Sequence, residues 1–159
     1  MSTPGVPSGY HTVTPYITVK GAADAIEFYK RAFGAQELHR MPGPDGQRLM
    51  HAEIRIGDSV VMLSDEFPEF GSGTSSPKTL GGTTHVLHIY SPDVDADFKR
   101  ATDAGATPLM PPADMFWGDR YSQVEDPFGQ RWAIMTHKED VAPEEMERRA
   151  KAFFAGGKP

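Results

Sequence analysis

Apolar positions along the chain change their period in a fixed order, and the order occurs twice. Thr12 to Val19 alternates, with Pro15, Ile17 and Val19 on one face and Thr14, Tyr16 and Thr18 on the other. A period of two predicts a half-buried strand whose proline sits at an edge or an unpaired position. From Ala22 the spacing turns helical: Ala22, Ile26, Tyr29 and Phe33 make one stripe, and Gly34 stands where helices commonly stop. Ala35 to Arg40 predicts a second strand, and P-G-P-D-G at 42–46 a turn. Arg48 to Ile56 alternates cleanly, setting Met50, Ala52, Ile54 and Ile56 against His51, Glu53 and Arg55. Gly57-Asp58 turns the chain into a fourth strand, Ser59 to Ser64.

After a stretch rich in Gly, Ser, Thr and Pro, Phe67 to Thr84, the pattern returns. His85 to Tyr90 predicts a strand. Asp93 to Gly105 predicts a helix, whose stripe of Val94, Phe98, Ala101 and Gly105 is the first stripe displaced by 72 residues. Thr107 to Met110 predicts a strand broken by Pro111-Pro112. Arg120 to Val124 and Arg131 to Met135 then form a hairpin around D-P-F-G at 126–129, which has the composition of a type I turn. The reading is α+β, with two βαβββ modules related by an internal repeat. The expected division is a mobile N-terminus at 1–11, module 1 at 12–66, a linker or lid at 67–84, module 2 at 85–137 and a tail at 138–159. In the tail, Pro143 suits a helix start and Met146, Ala150 and Phe153 form its stripe.

Composition narrows the function classes. The 159 residues include no cysteine, so disulfides and thiolate chemistry are excluded and a cytoplasmic setting is expected. The N-terminal M-S-T-P-G-V-P-S-G has neither the basic nor the apolar region of a secretory signal, and no run approaches the ~20 apolar residues of a membrane span. A net charge of -6 without a basic stripe argues against nucleic acid as a partner. There is no G-x-S-x-G elbow and no phosphate-cradling glycine loop.

Two groups of residues carry candidate chemistry. His51 and Glu53 lie two apart on the polar side of one strand. They are candidate catalytic residues as an acid/base pair, or a solvated, mutually hydrogen-bonded pair. The run M-F-W-G-D-R at 115–120 sets large apolar groups beside charges and reads as a packed surface loop or as the rim of a pocket. In the second case Trp117 gives a rigid ring, Arg120 a charged planar fork, and Gly118 lets the chain turn without obstructing a ligand.

The sequence resembles the vicinal oxygen chelate superfamily, which includes glyoxalase I, bleomycin-resistance proteins and extradiol dioxygenases, and within it the PhnB-like branch. The residues that carry the resemblance are A-D-A-I-E-F-Y-K-R-A-F-G-A at 23–35, M-H-A-E-I-R-I-G-D-S-V-V-M-L-S-D at 50–65, D-V-D-A-D-F at 93–98, and M-F-W-G-D-R-Y with D-P-F-G at 115–129. The resemblance implies curled mixed sheets around a cavity, with the helices outside. It directs Tyr16, His51, Glu53, Met62, His88 and Tyr90 toward that cavity, with Trp117 and Arg120 at its mouth. It also implies a homodimer, with the modules cooperating within or between chains. Metal-using relatives hold a divalent ion on four strand positions, which fall here at Thr14, Met62, Val86 and Ala133. None of these offers an imidazole or carboxylate, so no metal is expected at the usual place. A displaced divalent site would draw on His51, Glu53 and His88. Two functions follow from the resemblance: a metal-free protein that binds a flat or amphipathic small molecule, or a glyoxalase-like lyase, isomerase or dioxygenase with a displaced metal.

Overall fold

The computed structural model describes residues 5–71 and 74–156. The expected mobile N-terminus, linker and tail therefore fall in part outside the described residues, at 1–4, 72–73 and 157–159. The elements run β1 (Tyr16–Val19), α1 (Ala22–Phe33), β2 (Gln36–Pro42), β3 (Leu49–Ile56), β4 (Ser59–Asp65), α2 (Pro77–Leu80), β5 (Val86–Tyr90), α3 (Val94–Asp103), β6 (Thr107–Asp114), β7 (Asp119–Glu125), β8 (Arg131–His137) and α4 (Pro143–Ala155). They build two four-stranded mixed sheets of identical topology, β1-β4-β3-β2 and β5-β8-β7-β6. In each, the first strand pairs parallel with the fourth and the remaining pairs are antiparallel. The protein is thus the expected α+β pair of βαβββ modules. The sheets do not join into a closed barrel.

Sequence dictates the helix side of each sheet. All four stripe residues of α1, namely Ala22, Ile26, Tyr29 and Phe33, are buried against Ile17, Val19, Ile54 and Leu63. The helices α1 and α3 also pack on each other, so both modules share one core. Gly21 precedes α1 and has no side chain to cap it. Asp65 at the end of β4 does so instead, accepting from the amides of Gly21 (2.7 Å), Ala22 (3.0 Å) and Leu49 (2.8 Å). In module 2 the matching position, Thr136, accepts from the amide of Val94 at 2.9 Å.

Asp126 of the D-P-F-G turn fastens the modules together. One of its oxygens accepts from the Tyr29 hydroxyl on α1 (2.7 Å) and the Trp132 indole on β8 (2.9 Å), and the other from the amides of Phe128 and Gln130. Gln130 reaches back to the Thr18 carbonyl at 3.0 Å.

Three expectations change. β1 begins at Tyr16 rather than Thr12: Pro15 has no amide to pair, its carbonyl accepts from Met62, and Thr14 turns back to bond the His11 carbonyl. β6 continues through Pro111-Pro112 to Asp114, with register shifts on either side of Met110. It can do so because it is an edge strand, where a missing donor faces solvent. The 67–84 stretch is structured in part: it contains a 3-10 turn at Pro68–Phe70, and the short α2 is held by Glu66, which accepts from the Ser76 amide and the Thr79 hydroxyl.

Candidate functional site

The sheet faces turned away from the helices hold most of the candidate residues. Along β3, Ala52, Ile54 and Ile56 are buried beneath α1, so His51 and Glu53 project the other way. Tyr16 stands opposite Met62, and Met62 opposite Glu53, across neighbouring strands. This brings Tyr16, His51, Glu53 and Met62 together as expected positions of one surface. A hydrogen-bonded chain runs across it. The Tyr16 hydroxyl lies 3.3 Å from His51 Nδ1, and His51 Nε2 lies 3.0 Å from Glu53 Oε1. The other Glu53 oxygen accepts from the Tyr10 phenol, in the segment ahead of β1. The bond from Tyr10, and then that from His51, hold the Glu53 carboxyl below its usual range against partial burial.

Module 2 presents a related surface with its parts exchanged. His88 stands opposite Ala133 as Tyr16 stands opposite Met62, and Gln123 opposite Ala133 as Glu53 opposite Met62. The ring of His88 lies 6.1 Å from that of Tyr121, and Gln123 Nε2 donates to the Tyr121 hydroxyl at 3.1 Å. The imidazole is on the first strand and the phenol on the third, the reverse of module 1. Both faces are open: Tyr16 is 49% exposed and Tyr90, one step along from His88, 68%.

The loop after β6 is placed differently from expectation. Trp117 meets the rim of the module 2 face, edge-on to Tyr121 at 5.7 Å, and its indole donates to Asp119 at 3.1 Å. Arg120 is not brought to that face. It lies on the helix side of β7, where it forks onto Asp95 at 2.7 and 2.8 Å and reaches Asp114 at 3.2 Å. Gly118 is also explained by the tail rather than by room for a ligand. Its carbonyl accepts from the amides of Lys138 and Glu139, φ is +101°, and a Cβ there would collide with the Glu139 carbonyl. Phe153 and Phe154 of α4 pack on Phe116, covering this side of the loop.

A cleft of ≈ 620 Å³ lies between the modules. Phe33 and Trp132 floor it, Leu87 and Ile89 of β5 form one wall, and Val13 with the β3–β4 turn forms the other. Its rim carries His11, His88 and Tyr90. A second, smaller cleft of ≈ 340 Å³ runs beneath the N-terminal segment and is bordered by Tyr10, Glu53 and Met62.

The sequence profile of the Glyoxalase/Bleomycin resistance protein/Dioxygenase superfamily matches residues 10–134. The chain belongs to this superfamily. It is 46% identical over 136 residues to uncharacterized protein Rv0887c of Mycobacterium tuberculosis, covering 85% of this chain and 79% of the relative. Among solved structures it is similar to TioX from Micromonospora sp. ML1, with 26% identity, a TM-score of 0.64, and coverage of 80% of this chain and 98% of that one. It also shares the fold of a Bacillus cereus PhnB protein described as a putative 3-demethylubiquinone-9 3-methyltransferase, at 14% identity and a TM-score of 0.59, with 79% and 99% covered.

The donor set at the superfamily's metal positions does not fit the ion. Thr14 spends its hydroxyl on the His11 carbonyl, Met62 offers only a thioether, and Val86 and Ala133 offer nothing. The displaced set is not assembled either. His88 sits with Tyr121 on the other sheet, and both ring nitrogens of His51 already face Tyr16 and Glu53. Among the described residues no three His, Cys, Asp or Glu side chains come together as a metal site. No described helix is long and apolar enough to cross a membrane.

Tyr10, Tyr121 and Gln123 belong to these surfaces and escaped the sequence reading. Tyr10 gave no signal, since it lies ahead of the first periodic segment. Tyr121 could have been found by carrying His51 through the repeat.

Proposed function

We propose that the protein binds a flat, amphipathic small molecule in the cleft between its two modules, without the superfamily's metal. The observation that carries this reading is the 620 Å³ cleft itself, with an apolar aromatic floor and a sparse polar rim of His11, His88 and Tyr90. Ligand sites are typically concavities of about 300–1,000 Å³ with that division between floor and rim. His88 and Tyr90 are the ligand contacts in this reading, with Tyr16 and Trp117 on the flanking open faces. The likeness to the PhnB protein supports placing the chain in the PhnB-like branch. The exposed apolar groups Val13, Tyr16, Leu80 and Tyr90 are suited to a second copy, giving a homodimer in the cytoplasm. Sedimentation as a 17.4 kDa species at micromolar concentration overturns the dimer.

The binding reading is tested with 8-anilinonaphthalene-1-sulfonate, a planar amphipathic fluorophore, on the intact chain and on Val13→Trp. Val13 is 83% exposed, so the larger side chain narrows the cleft without disturbing the core. The expected result is affinity at least about tenfold weaker, equivalent to ~1.4 kcal/mol, at an unchanged melting temperature. Equal affinity in the two proteins places the ligand elsewhere. Metal content of protein purified without chelator separates this reading from the metal-dependent enzyme, which requires about one divalent ion per chain.

A further inference from the structure

The N-terminal segment does something the inter-module cleft does not explain. Gly5 to Gly9 is exposed, yet Tyr10 is half-buried over the open face of module 1, and its phenol donates to Glu53. Among the described residues the segment has few other anchors. The Tyr10 amide bonds the Pro7 carbonyl within the segment itself, and Gly9 lies near the Arg55 guanidinium. Beneath it runs the ≈ 340 Å³ cleft lined by Val6, Pro7, Tyr10, Glu53 and Met62. Glu53 is not left to water. Its second oxygen is fixed by His51, which Tyr16 holds from behind.

A phenol from the chain itself therefore occupies a carboxylate acceptor beside a cleft, attached to a segment with little else among the described residues to hold it. We propose that this is a second binding site, that it takes an aryl hydroxyl, and that Tyr10 is its internal stand-in. The bound phenol donates to the Glu53 oxygen that Tyr10 vacates, and its ring lies between the Met62 thioether and the Val6-Pro7 segment. A sulfur beside an aromatic ring is a favourable contact. Glu53, half-buried and oriented by His51, distinguishes a hydroxyl from a bare ring, because a charged acceptor partly shielded from water loses a hydrogen bond when its donor is replaced by a bare ring. The exchange is of one phenol for another, so the site closes on its own residue when no ligand is present.

The test titrates the full-length protein with p-cresol and, separately, toluene, following the backbone amides of Glu53 and Met62 by NMR. Wild type is compared with Tyr10→Phe, Tyr10→Ala and the double variant Tyr10→Ala/Glu53→Gln. Removing the competitor should tighten p-cresol about tenfold in both single variants, the worth of one hydrogen bond to a charged acceptor. Toluene should gain nothing from Tyr10→Phe, and the double variant should lose the p-cresol gain. Unchanged p-cresol affinity in both single variants overturns the proposal. So does an equal gain for toluene in Tyr10→Phe, which would make the segment an apolar cover that reads no hydroxyl. So too does a response at Leu87 and Tyr90 in place of Glu53, which would put the phenol in the inter-module cleft.

Discussion

Replacing Asp126 should loosen the joint between the modules by an amount that depends on which atom is changed. The carboxylate accepts four hydrogen bonds: from Tyr29 and Trp132 on one oxygen and from the Phe128 and Gln130 amides on the other. Asp126 is 3% exposed, Trp132 1% and Tyr29 fully buried, so water cannot replace a lost partner. In Asp126→Asn the amide oxygen can keep the two backbone donors. Its NH2 group then faces a hydroxyl and an indole N–H. The hydroxyl can rotate to accept, but the indole cannot, and one buried donor is stranded at a cost of about 1–3 kcal/mol. The opposite amide orientation strands two backbone donors and is worse. Asp126→Ala strands all four and leaves a void, for about 4 kcal/mol or more even at the low end of ~1 kcal/mol per unmet donor. Burial pushes the Asp126 carboxyl above its usual 3.8, partly offset by the donors from Trp132 and Tyr29. A carboxyl raised in the folded state adds stability below pH 3.8 that is lost as pH climbs through the folded value. The comparison is therefore made at one fixed pH, 7; the four donors and no acceptor that face the group are the surroundings of a carboxylate. Urea unfolding followed by tryptophan fluorescence and circular dichroism gives both differences, with an unchanged slope expected. If Asp126→Asn lies within about 0.5 kcal/mol of wild type, the typical effect of a surface substitution, the four-donor account of this joint is wrong.

Three further outcomes follow from the geometry. The contacts of His137 with Asp119 (2.8 Å) and Asp140 (3.0 Å) raise its pKa above 6.5, so its stabilisation is complete below that value and disappears as pH rises through the folded value. An NMR titration should place its midpoint above 6.5, with faster exchange of the Lys138 and Glu139 amides on the alkaline side; a midpoint at or below 6.5 refutes it. Gly118→Ala should destabilise by about 1–3 kcal/mol and expose Phe116 and Trp117, seen as a lower melting temperature and a red-shifted emission, since left-handed backbone and a collision with Glu139 combine there. Arg120→Ala should barely move the melting temperature, as expected of an accessible ion pair, and leave fluorophore affinity unchanged, because the side chain points to α3; a binding loss of tenfold or more refutes that placement.

What the sequence disclosed is what repeats with a local period. α1 was legible to the residue because its stripe is buried along its whole length. The alternation of β3 put His51 and Glu53 on the right side of their sheet, and the echo between the modules exposed the common topology. The same rule also fixes which side of its sheet Arg120 takes. Once Val124 and Ser122 of β7 are assigned to the core, Arg120 must share their side, and Tyr121 and Gln123 must face outward. The chemistry of Arg120 suits a pocket rim, but the parity of its own strand turns it to α3. Other features had no local signal. Gln130 meets Thr18 from 112 positions away, and Tyr10 meets Glu53 across 43, each through a side-chain hydrogen bond. Such contacts are set by how the modules and the leading segment settle on a finished scaffold, after the period of each element has been satisfied. The side-chain networks on the two open faces arise in that step. The two faces have one backbone register but exchange phenol and imidazole, and replace Glu53 by Gln123, so what each can bind depends on substitutions that periodicity does not register.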